Sequence, residues 1–405
     1  MSRTVHVVGA GLAGLAAALR LSRGGRRVVV HEASPQAGGR CRALPDGTDN
    51  GTHALLGANR AALRFLGEVG ARDGWIEPEP DGLPVLDLAS GEARRVGLSP
   101  RQWLRQPALR PPGLGLGGMG ALLRLAGGGD RAVGPAMAAH PALLRHLVDP
   151  LVIAALNTPV EEAGARWLAP VLRRLGRPGA TRLFVAREGL GPDLIAPTLT
   201  TLALAGVELR HGARLRRLEQ ADGRATALDF GEDRIVVSPS DRVVLALPPW
   251  EAKRLLPALP APERFAPILN LHYARVAAGP VRFLGLLDAL AQWVLVRPTG
   301  VSVTVSAADA AMDAPQEALM ARAWAELRRA ALAFGLPGPW PEAAPACRVV
   351  KERRATPRHG TGPAPAPPRL PLANLALAGD WTLPALPATI EGTIRSGEAA
   401  AAALR

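Results

Sequence analysis

A chain of 405 residues with 48% hydrophobic and 20% charged residues has a globular balance, which excludes intrinsic disorder. No apolar stretch of about 18 residues is free of charge, which excludes a multi-spanning helical membrane protein. The net charge is +13, and all 48 basic residues are arginine except Lys253 and Lys351. The basic residues are scattered and only 4% of the chain is aromatic, so nucleic-acid binding is not expected, whereas attraction to an anionic membrane is. Two cysteines, Cys41 and Cys347, make no disulfide framework, and no Cys/His cluster has zinc spacing, so no metal is expected. The N-terminus runs straight into a strand pattern without the features of a signal peptide, which points to a cytoplasmic location.

Taken in order, Thr4–Val8 reads as a buried strand, Gly9-Ala10-Gly11-Leu12-Ala13-Gly14 as a glycine-rich turn, Leu15–Leu21 as a helix and Arg27–His31 as a second strand ending at Glu32. This βαβ unit matches a dinucleotide fingerprint: close backbone approach to a pyrophosphate, a helix N-terminus aimed at it, and a carboxylate for the ribose. Gly38, Gly39 and Arg40 then extend it, the glycines allowing close backbone approach and the arginine offering a guanidinium to phosphates. Asn59–Val69 reads as a helix and Pro84–Leu98 as a hairpin turning at Ser90-Gly91. Ser99–Leu183 is helical and apolar, an insert suited to walling a substrate pocket.

Strand patterns return at Arg182–Val185, Val207–Arg210, Arg214–Glu219, Ala225–Phe230, Ile235–Val237 and Arg242–Leu247, with a helix over Leu190–Leu204. Leu215, in the third of these strands, is placed with the cofactor-binding set. A helix begins at Pro248-Pro249-Trp250, Trp293–Arg297 and Val301–Ser306 read as strands, Gln316–Phe334 as an amphipathic helix and Gly360–Pro371 as a proline-rich loop. A last strand, Asn374–Ala378, enters Gly379-Asp380, and a long helix follows Ala388-Thr389-Ile390, with Pro387 suited to its first turn. The predicted fold is α/β: a Rossmann-like dinucleotide-binding domain with an antiparallel-sheet substrate domain and a helical insert. Its expected segments are 1–83, 186–250 and 351–405 for the dinucleotide, 84–185 for the insert and 251–350 for substrate.

The extension from Glu32 through Gly38-Gly39-Arg40 resembles the FAD-binding amine oxidase and carotenoid desaturase superfamily and favours FAD over NAD. Asp149–Glu162, Lys351–Thr356 and Leu386–Gly397, with Asp49-Asn50-Gly51 and His53, make the chain similar over almost its whole length to the hydroxysqualene dehydroxylase family. That resemblance implies reduction of hydroxysqualene to squalene by reduced FAD with loss of water, in hopanoid or triterpenoid biosynthesis. The alternative is a phytoene-type desaturase or another flavin oxidoreductase of the superfamily. It further implies an isoprenoid lipid substrate, a peripheral position at the inner face of the membrane and contact with squalene-pathway enzymes. The chemistry needs a proton donor, for which His53, Asp49 and Glu391 are the candidates. No second dinucleotide fingerprint follows.

Overall fold

The computed structural model describes residues 3–274 and 279–404. Five short strands form a parallel sheet in the order Leu375–Leu377, Arg242–Leu245, Thr4–Val8, Arg27–His31, Glu208–Arg210. Their valine and leucine runs are buried on both faces, as a parallel sheet covered by helices demands. The helix Leu12–Ser22 follows the first strand and packs on the C-terminal helix Ile390–Ala403 in one core, Ala13, Ala16 and Ala17 against Ile394, Ala400 and Ala401. Small side chains let these two backbones approach closely. The two ends of the chain therefore build one layer.

A seven-stranded sheet stands beside it, in the order Cys347–Pro357, Phe265–Ala274, Gly300–Ser306, Trp293–Arg297, Arg282–Leu287, Leu83–Asp87, Ala93–Val96. All its neighbours are antiparallel except the pair Arg282–Leu287 with Leu83–Asp87. The helix Gln316–Phe334 covers one face through Leu319, Ala323, Trp324 and Leu327. The insert forms its own core, in which Leu122, Leu125, Met137, Leu143, Val152, Leu156 and Leu168 are almost fully buried. Truncating one such leucine to alanine costs about 2–5 kcal/mol.

Several expectations are corrected. The hairpin at 83–96 belongs to the long sheet and not to the insert, and Cys347–Pro357 is an edge strand of that sheet and not part of the nucleotide-binding segment. The strand expected at Arg214–Glu219 begins only at Arg217 and runs to Ala221. Leu190–Leu204 is helical, but Gly191–Ile195 is wound as a wider turn before Ala196–Leu204. Pro387 lies outside the last helix: Thr389 caps it, its hydroxyl accepting from the Gly392 N–H at 3.2 Å. The strand Phe265–Ala274 escaped the sequence reading because Pro267 interrupts it at a bulge and Asn270 and His272 break its apolar pattern.

Candidate active site

One cavity of about 1140 Å³ runs from the first strand's C-terminal end into the space between the long sheet and the insert. At one end it is lined by Gly9, Gly11, Leu12, Ala13, Glu32, Gly38, Gly39, Arg40, Leu215, Gly379, Asp380, Ala388, Thr389 and Ile390, which the sequence reading expects to bind the cofactor. Gly14 alone of the expected set lies behind the wall. A Cβ on Gly14 would stand 1.9 Å from the Gly9 carbonyl oxygen, so this glycine serves the packing of helix on strand. A Cβ on Gly11 would meet no protein atom within 4 Å and would project into open space. The protein leaves that space over the start of the helix Leu12–Ser22, where a pyrophosphate gains most from the N-terminal N–H groups.

Glu32 is fixed by two backbone donors, Ala10 N–H at 2.7 Å and Ser34 N–H at 2.8 Å, and its remaining lone pairs are available to ribose hydroxyls. Arg40 donates to Asp380 at 2.5 Å and to the Ala355 carbonyl, so it clasps the two halves of the cradle across 340 residues of sequence. The Asp380 carboxylate beside it raises the guanidinium pKa further. Asp380 is thus the arginine's partner. The hydroxyl of Thr52, also lining this cavity, is buried without a hydrogen-bond partner among the described residues. An orphaned hydroxyl beside an open glycine cradle fits a bound dinucleotide whose polar ring edge completes it.

The other end is mostly apolar. Leu83, Val85, Val96 and Leu98 face it from the hairpin, Leu147, Leu151, Ile153 and Ala154 from the insert, and Phe283, Leu286 and Trp293 from the long sheet. Three segments the resemblance singled out meet here. Asn157, held at φ 46°, donates to the Ala266 carbonyl at 3.1 Å and the Thr356 hydroxyl at 3.0 Å and accepts from Ala307 N–H at 2.6 Å. Arg354 lies 4.9 Å over the Trp250 ring. His359 accepts from Ala388 N–H through Nε2 at 3.1 Å, and its Nδ1 lies 2.9 Å from the Leu156 carbonyl, an acceptor only. Both contacts require the neutral, Nδ1-protonated ring, and burial lowers its pKa accordingly.

The three expected acids separate. His53 lines the cavity, with Nδ1 donating to the Gly51 carbonyl at 3.0 Å; burial lowers its pKa, so the ring is neutral and Nε2 carries a lone pair. Asp49 is buried behind the wall, accepting from Leu190 N–H at 2.6 Å and Arg297 at 3.3 Å, and acts as a brace. Glu391 borders the cavity with both oxygens engaged, by Ala62 N–H at 2.9 Å and Arg395 at 2.5 Å. Sequence reasoning missed Asp149. It lines the cavity, no described residue hydrogen-bonds or ion-pairs with its carboxyl, and burial, followed by Glu161 and Asp288, pushes its pKa up to about 6. The neighbouring Arg145 is occupied by Asp87 and Asp288. The signals in the sequence were its place at the head of the Asp149–Glu162 segment that carries the resemblance and an acid heading an apolar helix, Asp149-Pro150-Leu151-Val152-Ile153.

The family profile described as flavin containing amine oxidoreductase matches residues 12–405. Cyclohexylamine oxidase from Brevibacterium oxydans superposes with a TM-score of 0.70 over 100% of this chain and 99% of its own at 18% identity. Putrescine oxidase bound to putrescine gives 0.68 over 99% and 98% at 20% identity. Fold and cradle define a flavin-dependent oxidoreductase. Hydroxysqualene dehydroxylase of Rhodopseudomonas palustris is 38% identical over 99% of this chain and 98% of its own, and that of Zymomonas mobilis 32% over 98% and 97%. The chain belongs to the hydroxysqualene dehydroxylase family, among the flavin containing amine oxidoreductases.

Proposed function

We propose that the cavity reduces the allylic alcohol hydroxysqualene to squalene, with FAD at the glycine end and the isoprenoid chain along the apolar end. The observation that carries this reading is the continuity of the two ends in one cavity. Reduced FAD, when bound, supplies a hydride. The chain's own residues do the rest. Gly11, Glu32 and the Arg40–Asp380 clasp hold the dinucleotide, and the N-terminus of Ile390–Ala403 presents its positive end to the ring. The apolar walls exclude water, so that the cation left by the departing hydroxyl is not captured by solvent. The neutral His53 accepts the substrate's O–H through Nε2 and orients its oxygen. Asp149, with a pKa of about 6, donates the proton that makes water the leaving group.

The lipid enters from an anionic bilayer. Residues 93–129 hold six arginines and no acid, and the helices Pro100–Arg105 and Leu116–Ala126 expose Leu104, Leu116 and Leu123 beside Arg101, Arg105 and Arg124. Apolar side chains among arginines suit a peripheral contact. No described helix is long and apolar enough to cross a membrane. The test is anaerobic: protein reduced stoichiometrically and mixed with hydroxysqualene should return to the oxidised flavin spectrum while squalene appears. Desaturation of phytoene by the oxidised protein, with hydroxysqualene untouched by the reduced one, would assign the desaturase activity instead.

A further inference from the structure

Beside the flavin end of the cavity lies a second, small hollow lined by Arg60, Arg174, Arg177 and Arg395, with Gly57, Ala58, Pro178 and Ala180. Arg174 and Ala58 border both spaces. The backbone of one wall is held, because Gly57 N–H donates to the Arg182 carbonyl at 2.8 Å and Ala58 N–H to the Ala180 carbonyl at 2.9 Å. Some arginines elsewhere are ion-paired, as Arg20 is with Glu68 and Glu398, Arg282 with Glu79 and Arg217 with Asp229. Here Arg60, Arg174 and Arg177 have no ion pair and no side-chain hydrogen bond among the described residues. The carboxylate at hand, Glu391, is already taken by Arg395 and Ala62. Arg174 is half-buried, and burial, then Arg395, then Arg177 and Arg173, lower its pKa against the single opposing pull of Glu391. Like charges gathered in a hollow without a counter-ion repel one another, and an anion seated among them relieves that repulsion.

We infer that Arg60, Arg174 and Arg177 form a binding site for a phosphate-bearing ligand, set so that the rest of the ligand reaches the main cavity past Arg174. Planar guanidinium forks match phosphate oxygens in pairs. Two sources carry this chemistry: a nicotinamide dinucleotide that delivers electrons to the flavin, or an isoprenoid diphosphate. The inference rests on the reading of the main cavity as a flavin site, but the binding of the anion does not.

The test titrates inorganic pyrophosphate into FAD-loaded protein at low salt by calorimetry, with retained flavin absorbance reporting an intact main site. One saturable site is expected, weakened roughly tenfold or more by Arg174→Gln or Arg177→Gln, as for loss of a charge-assisted bond. Without pyrophosphate, Arg174→Gln should melt no lower than the native protein because repulsion is relieved; with it, the native protein alone should gain stability. A merely structural arginine would give a lower melting temperature in both conditions. To name the source, anaerobic flavin reduction is compared for NADPH and NADH, and farnesyl diphosphate is tried as competitor against pyrophosphate. Faster reduction by NADPH, lost in Arg177→Gln, selects the nucleotide; displacement by farnesyl diphosphate with equal nucleotide rates selects the isoprenoid. Absence of saturable pyrophosphate binding, or binding unchanged in both variants, overturns the inference while leaving the flavin assignment intact.

Discussion

The two ends of the cavity are built on opposite plans. The cofactor end is polar, assembled from backbone and from side chains locked to one another: Glu32 to Ala10 and Ser34, Arg40 to Asp380, Thr389 to Gly392. The substrate end is apolar, drawn from three remote segments, and carries one carboxyl left without a partner among the described residues, Asp149. A site that holds a fixed ligand can satisfy its own groups in advance. A site that moves a proton must keep one group unsatisfied.

The sharpest way to separate the ends is Gly11→Val. A Cβ there has no protein atom within 4 Å and points into the cradle, so the variant should fold with a nearly unchanged melting temperature in the absence of FAD, yet purify without flavin and without activity. Gly14→Val, aimed into the Gly9 carbonyl, should instead fail to fold. Full flavin occupancy in Gly11→Val would remove the cradle from the account.

Next in size is the proton. Asp149→Asn should lower single-turnover squalene formation by roughly 10²–10⁴-fold with FAD still bound. Since the donor must be protonated, native turnover should fall as pH rises through about 6, and the variant should lose that limb. His53→Ala should slow turnover without moving the limb. If His53→Ala abolishes the limb and Asp149→Asn does not, the two roles are exchanged. A smaller effect belongs to Glu32→Ala, which should weaken FAD binding by about 1–3 kcal/mol, measured by flavin release on dilution.

The last effect is on stability against pH. His31 is pushed down to about 3 and His272 to about 4, both mainly by burial, and His359 is lowered in the same way. The unfolded chain therefore takes up protons first. Stability is full above the ordinary histidine pKa and declines as pH falls from about 6.5 toward 4, by about 1.4 kcal/mol per pH unit for each of His31 and His272. Protonated His359 can no longer accept from Ala388 N–H, so FAD release should accompany the decline. Chemical denaturation from pH 7 to 4 with His272→Gln should show a shallower slope; an identical slope would exonerate that ring.

The same contrast explains what the sequence disclosed. The glycine end of the cavity was legible because its residues follow a local pattern, glycines, an acid and a helix start at fixed spacing, and all of the expected set but Gly14 line that cavity. The substrate end was not, because Leu83, Leu151 and Phe283 become neighbours only through tertiary pairing. The proton donors misled for a related reason. His53, Asp49 and Glu391 were chosen for their place in motifs, but motif residues are often satisfied ones, as Asp49 and Glu391 are. What marks Asp149 is the lack of a described partner, which no local pattern records.

The central claim is hydride delivery inside the dry apolar end, and it is tested by reconstituting the protein with 5-deaza-FAD carrying deuterium at C5, a position that does not exchange with water. One turnover with hydroxysqualene in ordinary water should give squalene with deuterium at the carbon that bore the hydroxyl. Deuterium-free squalene, or an inert deaza-protein where the FAD form is active, would contradict hydride transfer.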